Sequence, residues 1–193
     1  MKKIFIIFGT LIYKLFYKSK YLKGKNFENK TDGIKACHKF WFDQKIKGFN
    51  RHCPFPVNPT TTIGNIKNLY FDIDDIDNFW KVGCYYQCWK GQIFIGKGTW
   101  IAQNVGIITE NHNPDNLDMH LPAQDVHIGK NCWIGMNSVI LPGVTLGDKT
   151  IVGAGTVVTH SFPEGNCVIA GTPAKIIKRL ENNLNESNKK NFS

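Results

Sequence analysis

The chain has 193 residues, is 42% hydrophobic and 20% charged, and carries a formal net charge of +9. That length supports one core with short appendages, and that composition excludes a disordered chain. Eighteen glycines and eight prolines fall short of a collagen-like composition, and no run of about eighteen apolar residues is present to span a bilayer.

The charge sits at the start. Residues 1–30 hold eight lysines (2, 3, 14, 18, 20, 23, 25 and 30) against one acid, Glu28, and so supply +7 of the +9. A basic tail beside a near-neutral body argues against nucleic acid as a partner, and no helix-turn-helix or zinc-finger pattern accompanies it. Within this segment Ile4, Ile7, Phe8, Leu11, Ile12 and Leu15 recur at helical spacing. Lys14 interrupts the apolar stretch and no small-residue cleavage site follows, so a secretory signal is not expected. Two readings fit the stripe. One is a basic amphipathic helix that makes peripheral membrane contact through residues 1–25. The other is a helix docked on its own protein or on a partner subunit.

Residues 31–92 form a second, aromatic-rich region that includes Phe40, Trp41, Phe42, Tyr70, Phe71, Phe79, Trp80, Tyr85, Tyr86 and Trp89. Ile63-Gly64-Asn65 already resembles the repeat of the next segment. Asp72, Asp74, Asp75 and Asp77 read as a solvated loop or an acceptor-facing edge, because the Gly and Glu of a calcium loop do not follow. The six cysteines lie at 37, 53, 84, 88, 132 and 167 with no CxxC pair. They read as reduced thiols of a cytoplasmic protein, associated with the inner membrane face if the first segment binds lipid. Cys37-His38 and His52-Cys53 form a mirrored set that matches no familiar zinc spacing, so no metal is expected.

Residues 93–180 carry the most information. Ile95, Ile101, Ile107, Ile128, Ile134, Ile140, Leu146, Val152 and Val158 fall every six residues except across one gap. The next position is small at Gly96, Ala102, Gly129, Gly135, Gly147 and Gly153. Period six is neither the 2 of a strand nor the 3.6 of a helix. Six residues make one short strand and one corner, and three such units close a triangular coil with the aliphatics inside. Coils then stack about 4.8 Å apart through parallel strand hydrogen bonds.

The gap from Ile107 to Ile128 is three hexads plus three residues, so the chain leaves the prism over 109–127. That loop holds His112, His120 and His127, and a long excursion from a regular solenoid is expected to be functional. An imidazole near neutrality suits deprotonation of an attacking alcohol. Asp115, Asp118 and Asp125 are candidates to orient it.

The stretches IGKGTWIAQNVGIIT and IGKNCWIGMNSVILPGVTLGDKTIVGAGTVVT resemble the hexapeptide-repeat acyltransferases, most of all the galactoside, maltose and polysaccharide O-acetyltransferases. The resemblance covers about residues 93–180. It implies a mainly β chain folded as a left-handed parallel β-helix, with an N-terminal helical or irregular segment and a short C-terminal helix. It implies a homotrimer that uses acetyl-CoA as acyl donor, with sites in clefts between neighbouring helices. His112, in T-E-N-H-N-P, matches the place of the family's catalytic histidine. Trp133, Met136, Ala154, Thr159, His160 and Lys175 match its coenzyme contacts, although His160 stands where relatives often carry lysine. Lys175, Lys178 and Arg179 read either as phosphate contacts or as a basic helix end. Gly171-Thr172-Pro173-Ala174 resembles the turn that ends the family's prism, and a polar tail follows over 181–193. The family places an acceptor-binding amide about one coil before the histidine. Tyr86 and Gln87 hold that neighbourhood, where an aromatic face stacks on a sugar and an amide bonds its hydroxyls.

The expected function is therefore acetyl-CoA-dependent O-acetylation of a sugar hydroxyl, in a surface polysaccharide or a small or lipid-linked precursor. N-acetylation of an amino-sugar and antibiotic acetylation are variants of the same chemistry. A γ-type carbonic anhydrase, which needs three histidines on zinc, and a non-catalytic β-helix scaffold are the readings from other classes.

Overall fold

The six-residue period folds as one strand and one corner, repeated around three sides of a coil. The computed structural model describes residues 2–181, so the polar tail lies, past Glu181, outside the described residues. The first side stacks Thr62–Ile63, Tyr85–Gln87, Gly106–Ile108, Val139–Ile140 and Val157–Val158. The second stacks Leu69–Tyr70, Ile93–Ile95, Val126–Ile128 and Thr145–Leu146, and the third stacks Trp100–Ile101, Trp133–Ile134, Thr150–Val152 and Cys167–Ala170. Every neighbouring pair in these stacks is parallel. All nine aliphatics of the period are buried, and they meet in columns. Ile134 pairs with Ile101 below and Val152 above, and Ile140 with Ile107 and Val158.

Two further positions of the repeat have physical causes. Three places after the aliphatic the backbone enters the left-handed region, at Gly98, Asn104, Asn131, Asn137, Gly143, Lys149 and Gly155. Only Gly, and to a lesser degree Asn, adopts that conformation cheaply, so Lys149 with φ 56° is the strained member. Four places after the aliphatic the side chain turns back into the prism, and Thr99, Ser138 and Thr150 are buried there. Their hydroxyls donate to the corner carbonyls of Gly129, Gly135 and Gly147, at 2.7, 2.6 and 2.7 Å.

The coil already begins at Thr62, within the aromatic-rich region. In the first coil a 3-10 helical segment, Ile73–Trp80, stands where the third side would be. Buried Asn78 joins it to the next coil, donating to Thr99 O and accepting from Ile101 N, both at 2.9 Å. A chain of rings, Tyr21–Phe55–Phe79–Tyr86, with centroids 5.0, 5.2 and 5.1 Å apart, plugs this end of the prism.

Before the coil come three helices, α1 (Lys2–Tyr13), α2 (Lys25–Glu28) and α3 (Asp32–Trp41), and a π-helical turn, Phe42–Lys47. The acidic cluster ties them down. Asp74 accepts from Lys25 N at 2.8 Å, and Asp75 accepts from Lys25 Nζ at 3.2 Å and Gly98 N at 2.6 Å. Lys97 bridges Asp72 and Asp74 at 3.3 Å each. The Lys25 N–H bond, aided by Lys97, holds the Asp74 carboxyl below its ordinary pKa. The cluster is a latch rather than an acceptor edge.

Two expectations are corrected here. The apolar stripe of α1 is helical, but it does not dock on the rest of its own chain. Gly9 and Tyr13 are buried against α3, because Gly9 lets the helix approach Ile34 closely, and Tyr17 beyond the helix is buried and donates to Gln44 of the π-helical turn. The short C-terminal helix is replaced over 175–179 by a strand, Lys175–Arg179, antiparallel to Cys167–Ala170. An exposed strand edge needs a backbone partner more than a five-residue run with three basic side chains needs a helix, and β-branched Ile176 and Ile177 favour the extended form.

Truncating the middle of a column leaves a void that stacked coils cannot collapse. Ile134→Ala is expected to cost about 2–5 kcal/mol and to lower Tm by about 5–15 °C in calorimetry. Lys149→Asn is expected to relieve the strained corner, for a gain of about 0.5–1 kcal/mol, and to raise Tm by about 1–4 °C.

Candidate functional site

The excursion leaves the prism where the first side turns toward the second. Gln87, one coil below, splints the exit. Its Oε1 accepts from Thr109 N and Glu110 N at 2.8 and 2.9 Å, and its Nε2 donates to Glu110 O at 3.1 Å. Thr109 Oγ1 returns a bond to Gln87 O at 2.6 Å, and Lys90 pairs with the buried Glu110 carboxylate. Gln124 N donates to Thr109 O at 2.8 Å and closes the base of the loop.

Beyond this base the loop is a hairpin. His112–Asn113 pairs antiparallel with Asn116–His120, with His112 opposite His120. The chain reverses at Pro114-Asp115, where Asn113 Oδ1 accepts from Asp115 N at 2.9 Å. His112 is exposed, and its Nδ1 lies 2.7 Å from Leu117 O. A carbonyl only accepts, so Nδ1 carries the proton and donates, and Nε2 is left with a lone pair. The His120 ring lies 4.2 Å away, centroid to centroid. The arrangement is an imidazole oriented by the backbone, with its second nitrogen free to accept a hydrogen bond.

The orienting group is thus a backbone carbonyl and none of the three aspartates. Asp125 accepts from Gln92 N at 2.7 Å, while Asp115 and Asp118 sit in Asx turns. The three loop histidines do not converge either. His127 faces the second side and stacks on Phe94 at 4.5 Å, away from the His112–His120 pair. Among the described residues no group of three His, Cys, Asp or Glu side chains is placed to hold a metal ion. Cys37 and Cys53 are fully buried, and burial pushes the Cys53 thiol up to about 12.

The acceptor expectation at Tyr86 is corrected. Tyr86 occupies the inward column with Ile63 and Ile107, is fully buried, and donates its hydroxyl to Asn78 O at 3.4 Å. No sugar reaches its face. Gln87 has both amide atoms engaged by the loop base. The outward ring here is Tyr85, half-exposed beside Trp89 at 5.9 Å.

The residues matched to coenzyme contacts fall into two groups. Trp133 and Met136 line a hollow of about 420 Å³ with Lys81, Trp100 and Gln103, on the third side and the corner after it. Ala154 lies in the next turn above, which is stacked on Met136 through Gly155 N to Met136 O at 2.8 Å. Thr159 and His160 lie at the other edge of the first side, the edge from which the His112 loop departs, and are linked at 3.2 Å. Lys175 is exposed at the start of the last strand, beside Ala174, whose N–H reaches Val157 O at 2.9 Å. One copy of the chain does not bring the two groups together. Trp100 and Lys81 were not singled out from sequence; the recurrence of tryptophan at the same hexad position, 100 and 133, is the signal for the former.

Residues 125–160 match the family model described as bacterial transferase hexapeptide (six repeats). This segment is a hexapeptide repeat. With the repeat comes the left-handed sense of the parallel β-helix. The chain is 42% identical over 99 residues to a provisionally named lipopolysaccharide biosynthesis O-acetyl transferase, WbbJ, of Escherichia coli K12, covering 45% of this chain and 50% of that one. It is 37% identical over 135 residues to a provisionally named acetyltransferase of Staphylococcus aureus strain Mu50, covering 68% and 62%. Among solved structures it is similar to a maltose O-acetyltransferase from Clostridium difficile 630, at 32% identity and TM-score 0.48, over 64% of this chain and 60% of that one. The chain spans about half the length of the curated relatives it matches.

The Leu117 carbonyl makes a measurable demand on His112. Once its ring is neutral, nitrogen-15 NMR is expected to report the tautomer with the proton on Nδ1. A proton on Nε2 would contradict the orientation described above.

Proposed function

We propose that the protein is an acetyl-CoA-dependent O-acetyltransferase acting on a sugar hydroxyl, in a surface polysaccharide or its precursor, with His112 as general base. The observation that carries this reading is the His112 ring, with Nδ1 committed to Leu117 O and Nε2 open to solvent on a splinted loop. His112 Nε2 accepts the hydroxyl proton as the oxygen attacks the thioester carbonyl carbon, and returns it to the thiolate that departs when the carbon–sulfur bond breaks. The names of the Escherichia coli and Staphylococcus aureus relatives support acetyl transfer, and the former supports a surface polysaccharide.

The division of the coenzyme candidates between two edges supports a homotrimer. Side-by-side packing sets the Trp133–Met136 hollow of one copy against the His112 loop of the next, so donor and base meet in a cleft. Six buried cysteines without a disulfide support a reducing, cytoplasmic location. No helix among the described residues is long and apolar enough to cross a membrane.

The test is release of free thiol from acetyl-CoA by purified protein with a panel of sugars, amino-sugars and hydroxyl-bearing antibiotics. Acceptor-dependent release is expected for a sugar alcohol, and His112→Ala is expected to slow it about 10²–10⁴-fold. Release unchanged in the variant would overturn the assignment of His112. Release only with amines would move the acceptor from oxygen to nitrogen.

A further inference from the structure

α1 turns its apolar residues away from the protein. Ile4, Phe5, Ile7, Phe8, Leu11 and Ile12 are 72, 52, 69, 64, 62 and 40% exposed, and Leu15 and Phe16 follow at 81 and 38%. At about 100° per residue the six positions on α1 cover close to half the helix circumference with no polar residue among them. The opposite face is occupied, because Gly9, Tyr13 and Tyr17 are buried. The apolar arc is therefore surface that the fold itself leaves uncovered, and a patch of this kind marks a docking site.

Charge decides what covers it. Lys3, Lys14, Lys18, Lys20, Lys23 and Lys30 are exposed around this segment, and among the described residues none is in a salt bridge. Lys25, by contrast, is committed to Asp75. Glu28 is the one acid in residues 1–30. A second copy docked face to face would oppose these lysines with the same lysines. A surface of anionic phosphates satisfies both the arc and the charge. The geometry also fixes the mode of contact: twelve helical residues run about 18 Å, too short to cross the hydrocarbon layer.

We propose that α1 is an interfacial anchor, lying in the headgroup–acyl boundary of an anionic bilayer with its Ile4–Phe16 face down and its lysines on lipid phosphates. This goes beyond the acyl-transfer reading and does not rest on it.

Co-sedimentation of the full chain with lipid vesicles tests the anchor without any acyl donor. The protein is expected to pellet with vesicles containing phosphatidylglycerol, to stay in solution with pure phosphatidylcholine, and to be released by added salt. Ile7→Glu combined with Leu11→Glu is expected to weaken binding about tenfold or more, at two exposed positions where circular dichroism and Tm should be unchanged. Absence of binding to the anionic vesicles would overturn the proposal, as would binding that the double variant leaves intact. A wild type that ignores vesicles but loses mass in sedimentation when Ile7 and Leu11 are replaced would assign the face to a second copy instead.

Discussion

Adjacent coils of this molecule lie one strand spacing apart, about 4.8 Å, and the rest of the structure depends on that distance. It allows one backbone against the next but no side chain between them at the corners. A Cβ added to Gly135 would meet Ala154 N and Val152 O at 2.6 Å, so on the second and third sides the position after the inward aliphatic is small, whereas on the first side Ile108, Leu141 and Thr159 stand there. The same tightness bends the corner through the left-handed region, which selects Gly or Asn two residues later. It also leaves corner carbonyls inside the prism, which the inward Thr and Ser hydroxyls satisfy. One spacing thus dictates three of the six positions, and the fourth is the aliphatic that the triangle buries.

Regularity of this kind confines any departure to a corner, and the candidate site occupies one. The excursion is rigid at its base because Gln87, from the coil below, takes over the backbone bonds that Thr109 and Glu110 would otherwise make along the strand. The histidine beyond is oriented by the hairpin's own backbone. No side chain needs to be placed with it, so the tautomer follows from the loop closing correctly. The second group of candidate contacts lies across the prism edge, so within one copy the two groups stay apart.

Much of this was legible in the sequence because the period acts on residue type directly. The nine aliphatics and the small residues after them give the coil, and the broken interval gives the loop and its histidine. The left-handed position was equally visible, in Gly98, Asn104, Asn131, Asn137, Gly143 and Gly155, once the structure drew the eye to it. What stayed hidden has physical reasons. Tyr86 looked like a surface ring because aromatic residues suit sugars, but its register with Ile63 and Ile107 places it inside. Gln87 resembled an acceptor contact, whereas its partners are backbone groups that carry no sequence signal; the Leu117 carbonyl escaped for the same reason. The period of the α1 stripe was legible but not which face packs within the chain, because Gly9 and Tyr13, rather than the aliphatics, make the surface that meets α3. The run Lys175–Arg179 was assigned by charge, and pairing with an open edge overruled it.

A coil of stacked parallel strands is a template for its own extension at either end, and many such coils could in principle join into a fibre. Here the two ends are finished differently. The ring chain from Tyr21 to Tyr86 closes the first coil with bulk. The strand Lys175–Arg179 lies across the edge of the last coil in the reverse direction, with three basic side chains, Lys175, Lys178 and Arg179. A following coil that offered a parallel strand would meet an antiparallel hydrogen-bond ladder and a row of positive charge. The chain therefore carries its own terminator against end-to-end polymerisation, which leaves the flat sides as the surfaces through which copies can meet.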